Sequence, residues 1–346
     1  MRAWLAKRAW ITKALRVLVA LAGLAIVALV VRDAGPAHVL HTLDRAKHAV
    51  VLALLAELAW IAADAWTSRI LLGSSATAMP RRVWIRSAFS AYAAAAFVPS
   101  GRFAGEVARA LELAPHVGVA RATFAGLALH GAHLVAAALV SMLACVALAL
   151  SIDTPLVPIL AVSGGWTCAL GALFLTGSRV RALRGLLRKP LAALAAGHDV
   201  ESDAQERPVV PVRAIGAQLV ARLAQLVQAA VLLLAVDGAI DDALTAQGIQ
   251  LVAGNVGDAM PGQAGVLEEG FRRFAGELEL TTASAVSLAL LLRAPRLMLA
   301  GGMALWLASS RGPSPSREHG RLDPASSQPG RDTPPVLPPS PGRRAL

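Results

Sequence analysis

The chain has 346 residues, 56% of them hydrophobic, and a mean hydropathy of +0.58, which excludes an ordinary soluble globule and fits a polytopic membrane protein. Lys and Arg number 33 against 22 Asp and Glu, a net charge of +11. Most of these basic residues lie between apolar runs or in tails, so they point to loops facing an anionic lipid surface and not to nucleic acid. Cys145 and Cys168 both fall inside apolar runs and read as small apolar residues without a redox message.

Residues 1–13 carry Arg2, Lys7, Arg8 and Lys13 and read as a cytoplasmic N-terminus. The apolar run 14–31 is long for a signal peptide and reads as an uncleaved first span. Residues 32–48 read as a polar interfacial loop, whose His38, His41 and His48 are taken as surface residues and not as a metal site. The second span, 49–72, holds Glu57 and Asp64 seven residues apart, hence on one helix face. Acids inside a span face a bundle interior or a wet cavity, which makes both candidate proton or pairing sites. Residues 83–98 are short for a span and run into Pro99. A short helix at 103–115 follows, with Glu106 and Arg109 spaced for i, i+3 pairing.

Residues 122–150 form another span, with His130 and His133 one turn apart. The stretch is not HExxH, so interior hydrogen bonding is the expected role. A span at 156–176 leads to a basic cytoplasmic loop at 177–211. The span 212–236 carries Gln218, Arg222, Gln225 and Gln228 as a polar stripe, and an arginine there needs an anionic partner. After an acidic turn (Asp237, Asp241, Asp242) comes a short glycine-bearing segment, 243–260, in which Asp258 is a third candidate proton site. A short acidic helix at 264–279 and a last span at 281–307, containing Arg293 and Pro295, complete a membrane domain of residues 14–308. Residues 309–346, rich in Pro, Ser, Gly and Arg, read as a disordered cytoplasmic tail.

The same interruption occurs twice. Pro99-Ser-Gly101-Arg102-Phe-Ala-Gly105-Glu106-Val-Ala-Arg109 and Pro261-Gly262-Gln-Ala-Gly265-Val-Leu-Glu268-Glu269-Gly-Phe-Arg272 each place a glutamate seven residues after a proline, with an arginine close behind. Proline removes a backbone donor, so each copy breaks a helix at membrane depth. Such breaks are tolerated only where they are buried in protein or line a cavity. Counting spans from a cytoplasmic N-terminus makes the first broken hairpin enter from inside and the second from outside. The expected architecture is an all-α polytopic membrane protein with about six full spans plus two broken re-entrant helix hairpins in an inverted repeat, as in many secondary transporters.

The runs FVPSGRFAGEVARALEL, NVGDAMPGQAGVLEEGF and ALLLRAPRL resemble the membrane domain of bacterial lysylphosphatidylglycerol synthases, which also occurs alone as a flippase-like family. The resemblance covers residues 10–308 and implies a multi-pass inner-membrane protein tied to lipid translocation. A soluble aminoacyl-transferase domain is not expected after residue 308, so aminoacyl-lipid synthesis is not implied. The first copy departs from the family by having Ser-Gly-Arg in place of a more glycine-rich turn.

These readings combine into translocation or trafficking of a phospholipid or lipid-linked headgroup. Helix N-termini after Pro99 and Pro261 suit a phosphate, and Arg102, Arg109 and Arg222 supply countercharge. Pro99, Gly101, Arg102, Gly105, Glu106, Arg109, Arg222, Pro261, Gly262, Gly265, Glu268 and Arg272 are the candidate substrate-binding residues; no cofactor, metal or nucleic acid is expected. The competing classes are an accessory subunit of a lipid or glycan biosynthetic enzyme and an ion-coupled small-solute carrier that uses Asp64 or Asp258. An independent enzyme is disfavoured, because the chain has no Walker loop, GxSxG or HExxH.

Overall fold

The computed structural model describes residue 25 and residues 28–98, 100–151, 153–177, 211–258, 260 and 263–310. The N-terminal segment 1–13, most of the run 14–31, residues 178–210 of the basic loop, the tail from residue 311, and Pro99, Pro261 and Gly262 lie outside the described residues.

The described residues form helices and no strand. In chain order they are α1 (Pro36–Ala46), α2 (Ala49–Leu72), α3 (Arg81–Phe97), α4 (Gly101–Val117), α5 (Val119–Ser151), α6 (Leu156–Gly177), α7 (Pro211–Ala235), α8 (Ala243–Gly257), α9 (Val266–Arg273) and α10 (Thr282–Ser310). Five stretches are long and apolar enough to cross a membrane: Ala49–Ala76, Val119–Ser151, Leu156–Thr176, Val212–Ala235 and Thr282–Ser310. The protein is therefore a multi-pass helical membrane protein. Helices α3, α4 and α8, of 17, 17 and 15 residues, measure about 22–26 Å at 1.5 Å per residue, short of a ~30 Å hydrocarbon core.

One expectation changes at the start of the chain. Residues 36–46 are not a loop but the amphipathic helix α1. Gly35, at a φ of 87°, turns the chain, and Pro36 begins the helix where its missing N–H costs nothing. Val39 and Ala46 are buried on one face, the former with Val30 and Val286. Its three-to-four-residue apolar spacing is obscured by His38, His41, Asp44 and Arg45.

The interior divides into two main regions. A large apolar cluster joins Leu156 and Leu160 on α6, Leu232 and Leu233 on α7, Ile249 on α8, Phe271 on α9 and Leu288 on α10. A smaller one joins Trp60 and Ile61 on α2, Tyr92 on α3, Ala221 on α7 and Met303 on α10. The broad packing surfaces of α2 on α7 and of α5 on α6 hold the long helices together.

Both breaks fold their helices back on themselves. In the first hairpin, Gly105 of α4 meets Ala91 of α3, and Gly101 meets Ala95, an antiparallel register. A Cβ at Gly105 would lie 2.6 Å from the Ala91 carbonyl oxygen, and one at Gly101 would overlap that of Ala95. The glycines thus bring two backbones into contact, as small residues do between membrane helices. In the second hairpin, Gly270 of α9 packs on Ala253 of α8, and Gly257 on Val266, again antiparallel. Each turn holds a non-glycine residue at positive φ, Ser100 and Gln263, both at 58°. Left-handed backbone is unfavourable for such residues and persists where the surroundings enforce it.

Replacing Gly105 with Ala inserts a methyl against backbone and should destabilise the protein by roughly 1–3 kcal/mol. Gly216 of α7 has nothing within 4 Å of an added Cβ, so Gly216→Ala should be neutral or stabilising by up to ~1 kcal/mol. Thermal unfolding in detergent tests the pair; equal effects would contradict the hairpin packing.

Candidate functional site

Asp64, midway along α2, is buried at 5% exposure and collects donors from three directions. Arg102 of α4 donates to Oδ1 at 2.8 Å, Arg109 donates to Oδ2, and the Gln218 amide of α7 donates to Oδ1 at 3.1 Å. Glu106 joins through an ion pair with Arg109 at 3.2 Å, one turn along α4. Two acids and two arginines make this junction formally neutral. That matters because an unpaired buried ion costs several kcal/mol.

A directional chain of hydrogen bonds leads away from the junction. An Arg222 guanidinium nitrogen lies 2.6 Å from Nε2 of His133, and arginine only donates, so Nε2 accepts. The His133 proton therefore sits on Nδ1, 3.1 Å from Oε1 of Gln218. The Gln218 amide then donates to Asp64 and to Oγ1 of Thr67. The polar stripe of α7 is thus bound into α2 and α5, and Arg222 is held in place by neutral acceptors, His133 and Gln225.

The second sequence block is built differently. Glu268, fully buried, pairs with Arg293 of α10 and not with Arg272. Arg293 also donates to the Gln263 carbonyl at 2.8 Å, within the break. Glu268 turns back to accept the Gly265 N–H at 3.0 Å, so this donor near the N-terminus of α9 is occupied. The helix begins at Val266, two residues after the expected start at 264, and ends at Arg273, short of the expected 279, with a separate turn at Gly276–Leu278. Arg272 points outward, where it bonds Glu269 at 2.6 and 2.7 Å.

Between the two hairpins lies a cavity of about 290 Å³. The first break contributes Gly101 and Arg102; the second contributes Asp258, Met260 and Gln263. Arg222 and Gln225 of α7, His130 and His133 of α5, Glu57 of α2, Thr167 of α6, Gln250 and Asn255 of α8 and Arg296 of α10 add to its polar wall, while Trp166, Leu170, Phe174 and Leu292 are apolar. Glu57 is engaged by the Tyr92 hydroxyl at 2.5 Å. Arg222 and Arg296 have no carboxylate within ion-pair distance among the described residues. Arg222 uses His133 and Gln225, and Arg296 donates to the Ala95 carbonyl at 3.5 Å. Five buried polar atoms of lining residues have no hydrogen-bond partner among the described residues: Trp60 Nε1, Arg102 Nε, His130 Nδ1, Arg222 Nε and Gln250 Oε1. Four of these are donors or cation nitrogens, or a ring nitrogen able to carry a proton. Unsatisfied groups gathered around one space call for water or a polar ligand.

The structure therefore brings Gly101, Arg102, Arg222, Glu57 and Asp258 to one cavity. Gly105, Glu106, Arg109 and Asp64 line a separate recess of about 20 Å³ behind it, where Gly105 serves helix contact and the charges neutralise one another. Gly265 and Glu268 shape the second turn, and Arg272 is remote. Arg296 and Gln250 also line the cavity. Both recur at helical spacing from noted positions, three after Arg293 and eight before Asp258, but no local motif marks them.

The fold and site define a multi-pass helical membrane protein with an internal, cation-rich polar cavity flanked by two helix breaks. No protein-family model matches the chain, and no curated protein matches it.

Removing one member of the Glu268–Arg293 pair strands a buried charge. Arg293→Met should cost roughly 3–5 kcal/mol, whereas Glu268→Gln with Arg293→Met should recover part of it. Unfolding of the single and double variants in detergent checks this; additive losses would show that the pair is not coupled.

Proposed function

We propose that the protein moves the anionic headgroup of a lipid or lipid-linked molecule across the membrane, as a stand-alone flippase-like membrane domain. The observation that carries this reading is the cavity: residues of both helix breaks line it, and two of its arginines have no carboxylate within ion-pair distance among the described residues. Guanidinium groups match phosphate oxygens geometrically and bind them strongly when desolvated. The carboxylate-paired arginines Arg109 and Arg293 serve the scaffold, Arg102 is shared between Asp64 and the cavity wall, and Arg222 and Arg296 meet the cargo. The resemblance of the two proline–glycine–glutamate blocks to lysylphosphatidylglycerol synthase membrane domains supports the same reading.

In this proposal the hairpins α3–α4 and α8–α9 are re-entrant and related by inversion, and the site alternates between leaflets by relative movement of the two halves. The protein sits in the bacterial inner membrane with both termini cytoplasmic, and its basic loops rest on anionic lipid. The chain carries cargo and makes or breaks no covalent bond. A second reading, an ion-coupled carrier, draws on Asp258, which lines the cavity, and no longer on Asp64, which is committed to two arginines.

Reconstitution into liposomes with a headgroup-labelled anionic phospholipid tests the proposal. The protein should raise the crossing rate above that of empty liposomes. Arg222→Gln should lower the rate by about 10–100-fold, the value of one or two charge-assisted hydrogen bonds, while Arg272→Gln should stay within about twofold of wild type. Crossing no faster than in empty vesicles, with or without a proton or sodium gradient, would remove the proposal. Uptake of a water-soluble solute that is lost in Asp258→Asn would favour the carrier.

A further inference from the structure

The cavity reaches the side of the molecule between α6 and α8. Trp166 lines it and is nevertheless 67% exposed, on the same outward face of α6 as Val162 and Leu173. That face is apolar and exposed on a helix long enough to span, so it borders the acyl chains of the bilayer. Across the seam, Asn255 of α8 is also exposed and also lines the cavity. Its amide donates to Oγ of Ser163 and to Oγ1 of Thr167, each at 3.0 Å. These side-chain bonds join α6 and α8 beyond the point where Leu160 packs on Gly248, while α6 packs chiefly on α5. Among the lining residues, the apolar Trp166 is exposed at the seam, whereas the cationic Arg222 is buried within. Within, Arg222 Nε and Gln250 Oε1 are buried without partners.

We infer that this seam is a lateral portal: a membrane lipid slides its anionic headgroup between α6 and α8 into the cavity, its acyl chains staying in the bilayer beside Trp166, and the Asn255 bonds to Ser163 and Thr167 latch the portal shut. The inference rests on the headgroup reading above and narrows it to cargo that arrives from within the membrane. An aqueous solute gains nothing from an apolar-to-polar entrance on a lipid-facing side. Two hydrogen bonds between neutral side chains hold the seam weakly, as interhelical bonds in membranes do, so it opens without breaking an ion pair or a helix. The buried pairs Asp64–Arg109 and Glu268–Arg293 stay intact throughout and keep the two hairpins in register.

The test pins the latch covalently. In a background carrying Cys145→Ala and Cys168→Ser, Asn255→Cys with Thr167→Cys is oxidised in nanodiscs. Binding of two probes is then measured, a spin-labelled long-chain phosphatidylglycerol and soluble glycerol phosphate. Oxidation should cut capture of the lipid at least tenfold, reversibly on reduction, and leave glycerol phosphate within about threefold. Asn255→Ala, which needs no cross-link, should speed lipid exchange several-fold. Unchanged lipid capture in cross-linked protein, equal loss of both probes, or failure of the two cysteines to join would each overturn the portal. If neither probe binds the reduced protein, and Arg222→Gln makes no difference, the headgroup reading itself is overturned.

Discussion

The Asp64 carboxylate is the point on which the structure depends. It receives Arg102 and Arg109 from α4 and Gln218 from α7, so one buried acid ties the first hairpin and the long helix α7 to α2. Lipid tails offer no hydrophobic drive between membrane helices, so packing and interhelical polar bonds set their arrangement. A carboxylate here is tolerable only because its charge is met in full, and with Glu106 the group of four is neutral. The same bonds run on through His133 to Arg222. A residue facing the cavity is therefore aimed by the junction behind it.

The two sequence copies solve one structural problem with different partners. Each break turns a helix back on itself, holds a non-glycine residue at positive φ, and buries a glutamate against an arginine. In the first copy that arginine comes from the same helix, three residues along. In the second it comes from α10, and it also clasps the turn through the Gln263 carbonyl. With both glutamates neutralised internally, Arg222 and Arg296 are guanidinium groups at the cavity with no carboxylate within ion-pair distance among the described residues, in a lining that also holds Glu57 and Asp258.

The sequence reveals helices more readily than partners. The five long apolar stretches coincide with the expected spans to within a few residues, because length and hydropathy are local properties. Proline and glycine mark both breaks for the same reason. Helix α1 was hidden because its buried face is carried by only Val39, Thr42 and Ala46 among histidines and charges. The partner of Glu268 was hidden for a different reason. Arg272 and Arg293 are equally good by charge, and only the fold decides that α10 lies against the buried side of α9 while Arg272 faces out. Arg296 carries no motif at all; its relation to the cavity arises from the rotation of α10.

The central claim is that the two breaks flank one cavity whose arginines hold an anionic headgroup. Imaging the protein at high resolution in nanodiscs of anionic phospholipid tests it most directly. The account predicts density for a phosphate within hydrogen-bond reach of the Arg222 guanidinium, between Arg102 of the first break and Gln263 of the second, with acyl density leaving past Trp166. A cavity closed by side chains, or Arg222 paired with a carboxylate and no lipid beside it, would contradict the account.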